Sequence, residues 1–308
     1  MTPFHLMGSD HRIVRAARVS FAKDDLVDRE RDIKLLRYLY QNKHASPFEH
    51  VIIALPSSRE EYFQWVEKIT LPTCLVYYAE GYTWLNLRTT INIWELIPEE
   101  VKEGLRASLP ATISIVEGTE VRGYTVDEQK VMWREDTSSG WIGLVDKLEL
   151  GTCMDHYTFV VECPLFVARQ WMRHRFGSFN EVSRRYVSYE PSFYIPKYLR
   201  PQAKDNKQAS EDIPMPEWAH FLKEWDRIVK GTVELYNKMI EKGVAKELAR
   251  GVLPQTMKTR FYWTVPRISL DNFISLRDSP HAQKEIREFA AIIKERVGYR
   301  GTDRRMRL

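Results

Sequence analysis

Apolar residues recur every three or four positions in several segments of the chain, as they do along one face of a helix. Residues 28–44 illustrate the spacing, with apolar side chains at Ile33, Leu36, Leu39 and Tyr40. The same periodicity predicts helices over SREEYFQWVEKI, PEEVKEGLRASL, the segment from Pro164, AKELARGVL and about His281 to Val297. The clearest stripe runs from Phe221 to Ile240 and ends before Gly243, which predicts a core helix.

Other segments follow different patterns. DHYTFVVECP and FYWTV are rich in β-branched and aromatic residues, which favours strands. Residues 201–216 are polar and flanked by prolines, as exposed loops are. Ser46 and Glu49 have the spacing of a capping box, which predicts that a helix begins at Ser46.

Composition narrows the class of protein. With 308 residues, of which 44% are hydrophobic, the chain can bury a large core. It has no apolar run long enough to span a membrane and no secretory signal at its N-terminus, so we expect a cytoplasmic protein without a membrane partner. Cys74, Cys153 and Cys163 show no CxxC spacing, so we expect free thiols and no metal site.

Positive charge is concentrated in one short segment. The net charge is only +4, but Arg169 to Arg185 contains six cationic or histidine side chains and a single acid, Glu181. We predict a helix that ends at Gly177, with Gln170, Arg173 and His174 on one face. Such a cluster of donors suits an anionic nucleotide, because arginine grips phosphate or the edge of a base in two places. A solvated basic helix with scattered ion pairs is the simpler alternative.

A longer string within this segment resembles a known family. Arg173-His174-Arg175, seven further residues, Ser183 and then Arg185-Tyr186 resemble the hallmark motif of the flavin-dependent thymidylate synthases. Further blocks resemble that family in its order: AARVSF, HASPFEH, PLFVARQW, FNEVSRRY, KELARGVLP, FYWTV and NFISLR followed by HAQKEIRE. The resemblance covers residues 1–50 and about 156–292, and many ordered blocks are more specific than one short motif.

The resemblance implies a role for each matching position. Arg277 matches the arginine that would activate the pyrimidine by favouring ionisation at N3. The residues expected to bind dUMP are Gln170, Arg173, Glu181, Val182, Ser183, Arg184, Arg185 and Arg250. Those expected to bind FAD are His44, Ser46, Arg173, His174, Arg175, Glu181, Arg267, Asn272 and His281. A donor to phosphate is the milder interpretation of Ser183, since no histidine lies beside it in sequence to make it a nucleophile. Glu247 and Arg250 have the spacing of an ordinary helical ion pair.

The chain departs from the family in two places. Where the family has Asn-x-Arg after the FYWTV strand, this chain has Pro266-Arg267-Ile268, so Arg267 would have to substitute for the usual flavin contact. Residues 52–155 interrupt the family pattern, so we predict a catalytic domain of residues 1–51 and 156–308 and an insertion of unknown role. The insertion contains Asn86-Leu87-Arg88 and Asn92, which resemble the missing motif and suggest replacement flavin contacts.

The resemblance also implies the fold and the reaction. We expect an α+β fold, a mostly antiparallel sheet flanked by helices, assembled as a homotetramer with active sites shared between subunits. The expected reaction methylates dUMP to dTMP with FAD as cofactor and NADPH and methylenetetrahydrofolate as cosubstrates, without nucleic acid as a partner. One rival is a nucleic-acid-binding module that uses the Arg169 to Arg185 face and stacks bases on Phe176, Phe179 and Tyr186. Another is a dUMP-binding relic that has lost flavin through the change at Pro266.

Overall fold

A computed structural model describes residues 3–22, 27–69, 75–127, 131–187, 189–204 and 210–301. Cys74 and the middle of the predicted 201–216 loop, residues 205–209, lie outside this part. The strands are β1 His5–Met7, β2 Ile52–Pro56, β3 Val76–Ala79, β4 Tyr82–Asn86, β5 Trp133–Asp136, β6 Trp141–Leu148, β7 His156–Pro164, β8 Ser178–Glu181 and β9 Lys258–Pro266. The helices are α1 Asp10–Arg18, α2 Arg29–Gln41, α3 Arg59–Lys68, α4 Leu87–Asn92, α5 Glu99–Ser108, α6 Pro110–Glu117, α7 Leu165–Trp171, α8 Trp218–Glu241, α9 Lys246–Ala249, α10 Arg267–Arg277 and α11 Lys284–Val297.

The strands form two antiparallel sheets. The first has the order β1-β2-β4-β3 and the second the order β5-β6-β7-β9-β8. In the second sheet β7 and β9 are paired over their full lengths, from His156 opposite Pro266 to Pro164 opposite Lys258. The predicted strands DHYTFVVECP and FYWTV are thus direct neighbours, and the predicted α+β fold with an antiparallel sheet is confirmed.

Side chains alternate along β9 between two parts of the core. Phe261, Trp263 and Val265 pack with Trp171 and with apolar residues of α10 and α11, whereas Tyr262 lies on the other face with Val19 and Val145. Alternation follows from the two-residue repeat of a strand. The sheet therefore holds α7, α10 and α11 on one side, and of these helices α7 and α10 carry predicted site residues.

The segment 52–155 supplies strands to both sheets. Its strand β2 pairs with β1, β4 and β3 extend that sheet beyond β2, and β6 pairs with β7 of the second sheet. The predicted boundaries at residues 51 and 155 therefore do not separate two structural units.

Buried charges anchor α1 to this segment. Ser9 caps α1, and the first residue of the helix, Asp10, is fully buried and accepts hydrogen bonds from the backbone N–H groups of Ala111, Thr112 and Thr125. Arg12, two residues later, pairs with Asp127 at 2.9 Å. A buried carboxylate is tolerated when such donors satisfy it, so the N-terminal segment and residues 110–127 depend on each other.

Two sequence-based predictions about helices were wrong. In α8, Val229 and Tyr236 of the predicted stripe are each 5% exposed, but Phe221 and Ile228 of the same stripe are 46% and 54% exposed, so the helix is present and its stripe is only partly core within the chain. An apolar stripe predicts a face shielded from water, not which chain shields it. Ser46 begins a short 3-10 helix, Ser46–His50, without a side-chain cap, so the capping box is absent there.

The described residues contain no helix long and apolar enough to cross a membrane. Within the same part of the chain, no group of three or more His, Cys, Asp or Glu side chains is arranged to hold a metal ion. Cys153 and Cys163 are free thiols, as expected.

Candidate active site

The part of the cationic segment that carries Arg173, His174 and Arg175 is a turn between α7 and β8, not a helix. α7 ends at Trp171, six residues before the predicted end at Gly177, so Arg173, His174 and Arg175 lie beyond its last residue. Gly177 then passes close to β9: a Cβ at this position would lie 2.9 Å from Trp263 Nε1 and 3.1 Å from Thr264 O. Glycine permits this close approach, which allows β8 to begin at Ser178.

Three of the predicted site residues meet at the end of α10. Arg277 donates from Nε to His174 Nε2 at 3.1 Å and from a terminal nitrogen to the backbone oxygen of Gln170 at 3.0 Å. His174 also packs edge-on against Phe273, one helical turn before Arg277. Because two different groups hold the guanidinium, its plane has a defined direction before any ligand binds.

The contact with Arg277 requires a neutral His174. Burial, and then the positive charge of Arg277, lowers the pKa of His174 from 6.5 to about 4. Burial and the charge of Arg173 lower the pKa of Arg277, but an arginine remains protonated at neutral pH. The site therefore combines a fixed cation with an uncharged acceptor.

Histidine protonation predicts a loss of stability in acid. Burial lowers the pKa of His50 and of His156 to about 4, as it does for His174. Between about pH 6.5 and 4 the unfolded chain binds protons at these histidines and the folded chain does not. The free energy of unfolding therefore decreases as the pH is lowered through that range. The apparent unfolding temperature, measured against pH, should fall less steeply in His50→Gln than in the unchanged protein.

His44→Gln is the matched control for this experiment, because His44 is exposed on the surface. It should leave the slope of unfolding temperature against pH unchanged. Equal slopes for His50→Gln and the unchanged protein would show that other groups cause the acid sensitivity.

Three arginines of the segment carry uncompensated charge. Arg169, Arg173 and Arg175 are exposed, and none of them forms an ion pair within the described part of the chain. The predicted alternative, a basic helix with scattered ion pairs, is not what the structure contains. Free guanidinium groups beside a fixed one create a field that attracts an anion.

Glu181 is the single acid of this segment, and it lies at the end of β8. Its Oε1 accepts a hydrogen bond from the Thr259 hydroxyl at 2.7 Å. Burial raises the pKa of Glu181, although Thr259 and the positive charges of Arg169 and Arg250 oppose the shift. Arg250 is exposed and donates to the backbone oxygen of Glu247, so the predicted helical ion pair with the Glu247 carboxylate is absent.

A cavity of about 220 Å³ lies between the two sheets. Arg175, Phe176 and Ser178 line it from the cationic turn, while Tyr77 and Trp84 line it from the first sheet. Tyr77 packs on Phe176 with ring centroids 4.9 Å apart, and Trp84 stacks on His156 at 5.4 Å. Residues 75–86 thus form one wall of a cavity whose other wall carries Arg175, which the sequence did not indicate.

An ion pair joins the two sides beside this cavity. Arg88 in α4 donates to Glu49 Oε1 at 2.6 Å, and Glu49 itself lines the cavity. Asn86, also at the cavity, accepts a hydrogen bond from the Thr89 backbone and caps α4. Glu49 was singled out by its spacing from Ser46, but its partner is Arg88.

Many polar groups of the loop after β8 form hydrogen bonds with other groups of the protein. The backbone N–H of Val182 donates to Arg260 O, and that of Ser183 donates to Ser20 O. The Ser183 hydroxyl accepts from Arg185 Nε at 3.3 Å. Arg184 is 4% exposed and donates to Tyr189 O, so its side chain points away from the free cations.

Arg267 does not match the predicted flavin contact. It is 2% exposed, pairs with Asp271 at 2.8 Å, and donates to the backbone oxygens of Val297 and Gly298. Pro266 places it as the first residue of α10, with its side chain directed into the protein. Its guanidinium therefore joins the two ends of the α10–α11 unit, which argues against a ligand role.

Four predicted flavin contacts lie on the surface of the chain. His44, Ser46, Asn272 and His281 are all exposed, and the structure does not bring His44 or Ser46 into contact with Arg277. A single chain therefore assembles only part of the predicted set.

The aromatic residues proposed for base stacking are already occupied. Phe179 packs against Phe261 and Trp263, and Tyr186 stacks on Phe21 at 4.9 Å. Phe176 packs on Tyr77, so each of the three rings has an aromatic neighbour within the protein, although Tyr186 is 47% exposed.

The chain is similar to several known proteins. Residues 119–298 match the model of a family described as thymidylate synthase complementing protein. A flavin-dependent thymidylate synthase of Aquifex aeolicus is 60% identical over 99% of this chain and 99% of its own length. One from Thermus thermophilus is 46% identical over 46% of this chain and 53% of its own. Among solved structures, the UMP/dUMP methylase PolB from Streptomyces cacaoi, bound with 5-Br UMP, has a TM-score of 0.42 and 21% identity, with coverage of 96% of this chain and 88% of PolB.

Proposed function

The chain belongs to the thymidylate synthase complementing protein family, and from this we propose that it is a flavin-dependent thymidylate synthase. It methylates C5 of dUMP to give dTMP, with methylenetetrahydrofolate as carbon donor, FAD as cofactor and NADPH as reductant. The observation that carries the proposal is the fixed guanidinium of Arg277 beside free arginines. No other activity is favoured by a specific contact in the described residues.

Arg277 is the catalytic residue in this proposal. C5 of uracil is a poor nucleophile, and a cation at the ring edge stabilises the negative charge that develops when the ring is activated. A guanidinium suits the task because it stays protonated and offers two parallel N–H groups. His174 and Gln170 position it, so little reorganisation is needed at the moment of reaction.

The nucleotide is bound by the groups around Arg277. Arg173 and Gln170 lie beside the uracil, while Ser183, Arg185 and Arg250 supply donors for the phosphate. Glu181 accepts rather than donates, so it excludes anions from its own position and leaves the phosphate to Ser183, Arg185 and Arg250. The backbone of Val182 and Arg184 shapes the loop that carries Ser183.

The residues at the cavity between the sheets fit a flavin. Tyr77, Trp84 and Phe176 offer apolar surface for a planar ring, and Arg175 offers a positive charge for a phosphate or a ring oxygen. His174, Ser46, His44, Asn272 and His281 complete the proposed FAD contacts. When bound, FAD supplies the redox chemistry of the reaction, and the chain's residues bind it and exclude water.

The active site is proposed to form between subunits of a homotetramer. The proposed flavin contacts His44, Ser46, Asn272 and His281 are all exposed on the surface of one chain. The apolar side chains of α8 that are exposed, among them Ile228 at 54%, offer a surface for a second copy. Sedimentation velocity of the purified protein tests this assembly.

The visible absorbance spectrum of the purified protein, followed by NADPH oxidation with and without dUMP, tests the proposed function. A flavin spectrum and dUMP-stimulated oxidation that yields dTMP are expected when methylenetetrahydrofolate is present. A colourless protein that takes up no added FAD would refute the enzyme and leave the dUMP-binding relic. Strong salt-dependent binding to single-stranded DNA would instead support the nucleic-acid module.

Arg88 tests the hypothesis that residues 52–155 contribute to flavin binding. Replacing Arg88 with alanine leaves Glu49 without its partner at the cavity, so we expect the Kd for FAD to rise about 3- to 10-fold, the effect of losing one ordinary hydrogen bond. Kd is measured by FAD titration of the apoprotein. Arg122→Ala, on an exposed surface, is the control. Unchanged flavin content and affinity in Arg88→Ala would exclude this role.

A further inference from the structure

A chain of hydrogen bonds runs from the active site into the protein through α11. Gln170, on α7, donates from its amide nitrogen to Gln283 Oε1 at 2.6 Å. Gln283, directly before α11, donates from its own amide nitrogen to Glu285 Oε2 at 2.9 Å. This series of hydrogen bonds ends at Glu285, whose side chain is buried, with 2% exposure. Neither Gln283 nor Glu285 has a role in the function proposed above.

Glu285 is held as a carboxylate. Burial opposes its ionisation, but the positive charge and hydrogen bond of Arg200, 2.8 Å away, more than compensate, and the pKa of Glu285 is lowered. The Tyr194 hydroxyl donates to Glu285 Oε1 at 3.0 Å, the same oxygen that accepts from Arg200. An ionised carboxylate only accepts hydrogen bonds, so every neighbour that contacts Glu285 must present a donor.

This requirement sets the orientation of both amides. Gln283 must turn its NH₂ group toward Glu285, which leaves its oxygen facing Gln170. Gln170 must then turn its NH₂ group toward Gln283, where it also approaches Phe166 O at 3.4 Å. The oxygen of the Gln170 side chain is the atom left over, and it has no partner within the described residues.

We infer that Gln283 and Glu285 are positioning residues that make Gln170 present its side-chain oxygen, a hydrogen-bond acceptor, to the nucleotide. The inference rests on the proposed function and deepens it. The Gln170 backbone oxygen holds Arg277, so the same residue also contacts the cation that is proposed to face the pyrimidine. The side-chain oxygen of Gln170 is an acceptor among arginines, so it repels phosphate and favours a neutral hydrogen-bond donor of the nucleotide. In dUMP the neutral donors are N3–H and the 3′-hydroxyl.

A double-mutant cycle on the holoenzyme tests the coupling, with Kd for dUMP measured by calorimetry. Gln170→Met and Gln283→Met, which keep side-chain length but remove the amide, should each raise Kd about 3- to 10-fold, the effect of one hydrogen bond. The double variant should bind no more weakly than the weaker single variant. Additive losses, or a Kd for Gln283→Met equal to that of the unchanged protein, would overturn the inference.

Nucleotide analogues separate a positioning role from a merely structural one. The unchanged protein should bind either N3-methyl-dUMP or 2′,3′-dideoxy-UMP about 3- to 10-fold more weakly than dUMP, and the analogue that is disfavoured identifies the donor. Gln283→Met should lose this discrimination. Equal binding of dUMP and both analogues by the unchanged protein would overturn the inference.

The controls separate this inference from the proposed function. Gln64→Met, on the exposed face of α3, should leave Kd for dUMP unchanged. If the unchanged protein binds no dUMP, the proposed function fails and this inference fails with it. If it binds dUMP and Gln283→Met binds it equally well, only the inference fails.

Discussion

Replacing Arg277 with leucine should lower kcat for dTMP formation about 100- to 1,000-fold, the range found when a preorganised donor to developing charge is removed. Leucine keeps much of the volume, so α10 and the packing of Phe273 should persist. The guanidinium held by His174 and Gln170 is the group lost. The measurement is single-turnover formation of dTMP by the flavin-loaded variant, which reports the chemical step and not product release.

Arg277→Lys distinguishes charge from geometry. Lysine keeps the positive charge but offers a flexible point donor in place of a planar fork, so only part of the lost rate should return. Arg122→Ala, an exposed arginine paired with Glu120, should react at the unchanged rate. Flavin content near that of the unchanged protein must accompany the slow Arg277→Leu reaction. A rate within a few-fold of the original would rule out Arg277 as the catalytic residue.

Asp10→Ala should cause the largest loss of stability, about 3 kcal/mol or more. The variant leaves buried donors of Ala111, Thr112 and Thr125 without an acceptor, and each unsatisfied buried donor costs roughly 1–3 kcal/mol. For a chain of this size the apparent unfolding temperature should fall by about 5–10 °C. Thermal unfolding followed by far-UV circular dichroism measures the change.

Asp136→Ala is the control, because Asp136 is exposed in β5 and its ion pair with Arg134 lies on the surface. It should change stability by less than about 0.5 kcal/mol. A similar small effect for Asp10→Ala would mean that residues 110–125 can separate from α1 without disturbing the rest of the fold.

Local sequence signals were sufficient wherever a segment's environment is set by its own pattern. The spacing of Ile33, Leu36 and Leu39 predicted α2, and β-branched and aromatic residues predicted β7 and β9. Pro164 and Gly177 are different cases. Pro164 precedes α7 as expected, but Gly177 serves a close approach to Trp263 and not the end of a helix. The chemical use of a glycine depends on a neighbour that is distant in sequence.

Local sequence signals did not predict contacts between residues that are far apart in the sequence. Glu49 pairs with Arg88, and Arg277 meets His174 across 103 positions of the chain. For Arg267 the sequence motif suggested a ligand contact. In the structure Arg267 is buried and paired with Asp271, which gives it a structural role. A side chain's partner is decided by which elements the sheets bring together.

The sequence by itself determined the family, the α+β class and the residue types at the site, because these depend on local composition and on ordered motifs. The tertiary structure decided which side chains are free to act. Arg173 and Arg175 remain exposed without acidic partners in the described part of the chain, whereas Arg184 and Arg267 are buried by contacts made within it. The physical reason is that a polar group that is buried and hydrogen-bonded within the protein is not available to bind a ligand. Burial and hydrogen bonding depend on residues distant in sequence, so the residue type at one position does not determine them.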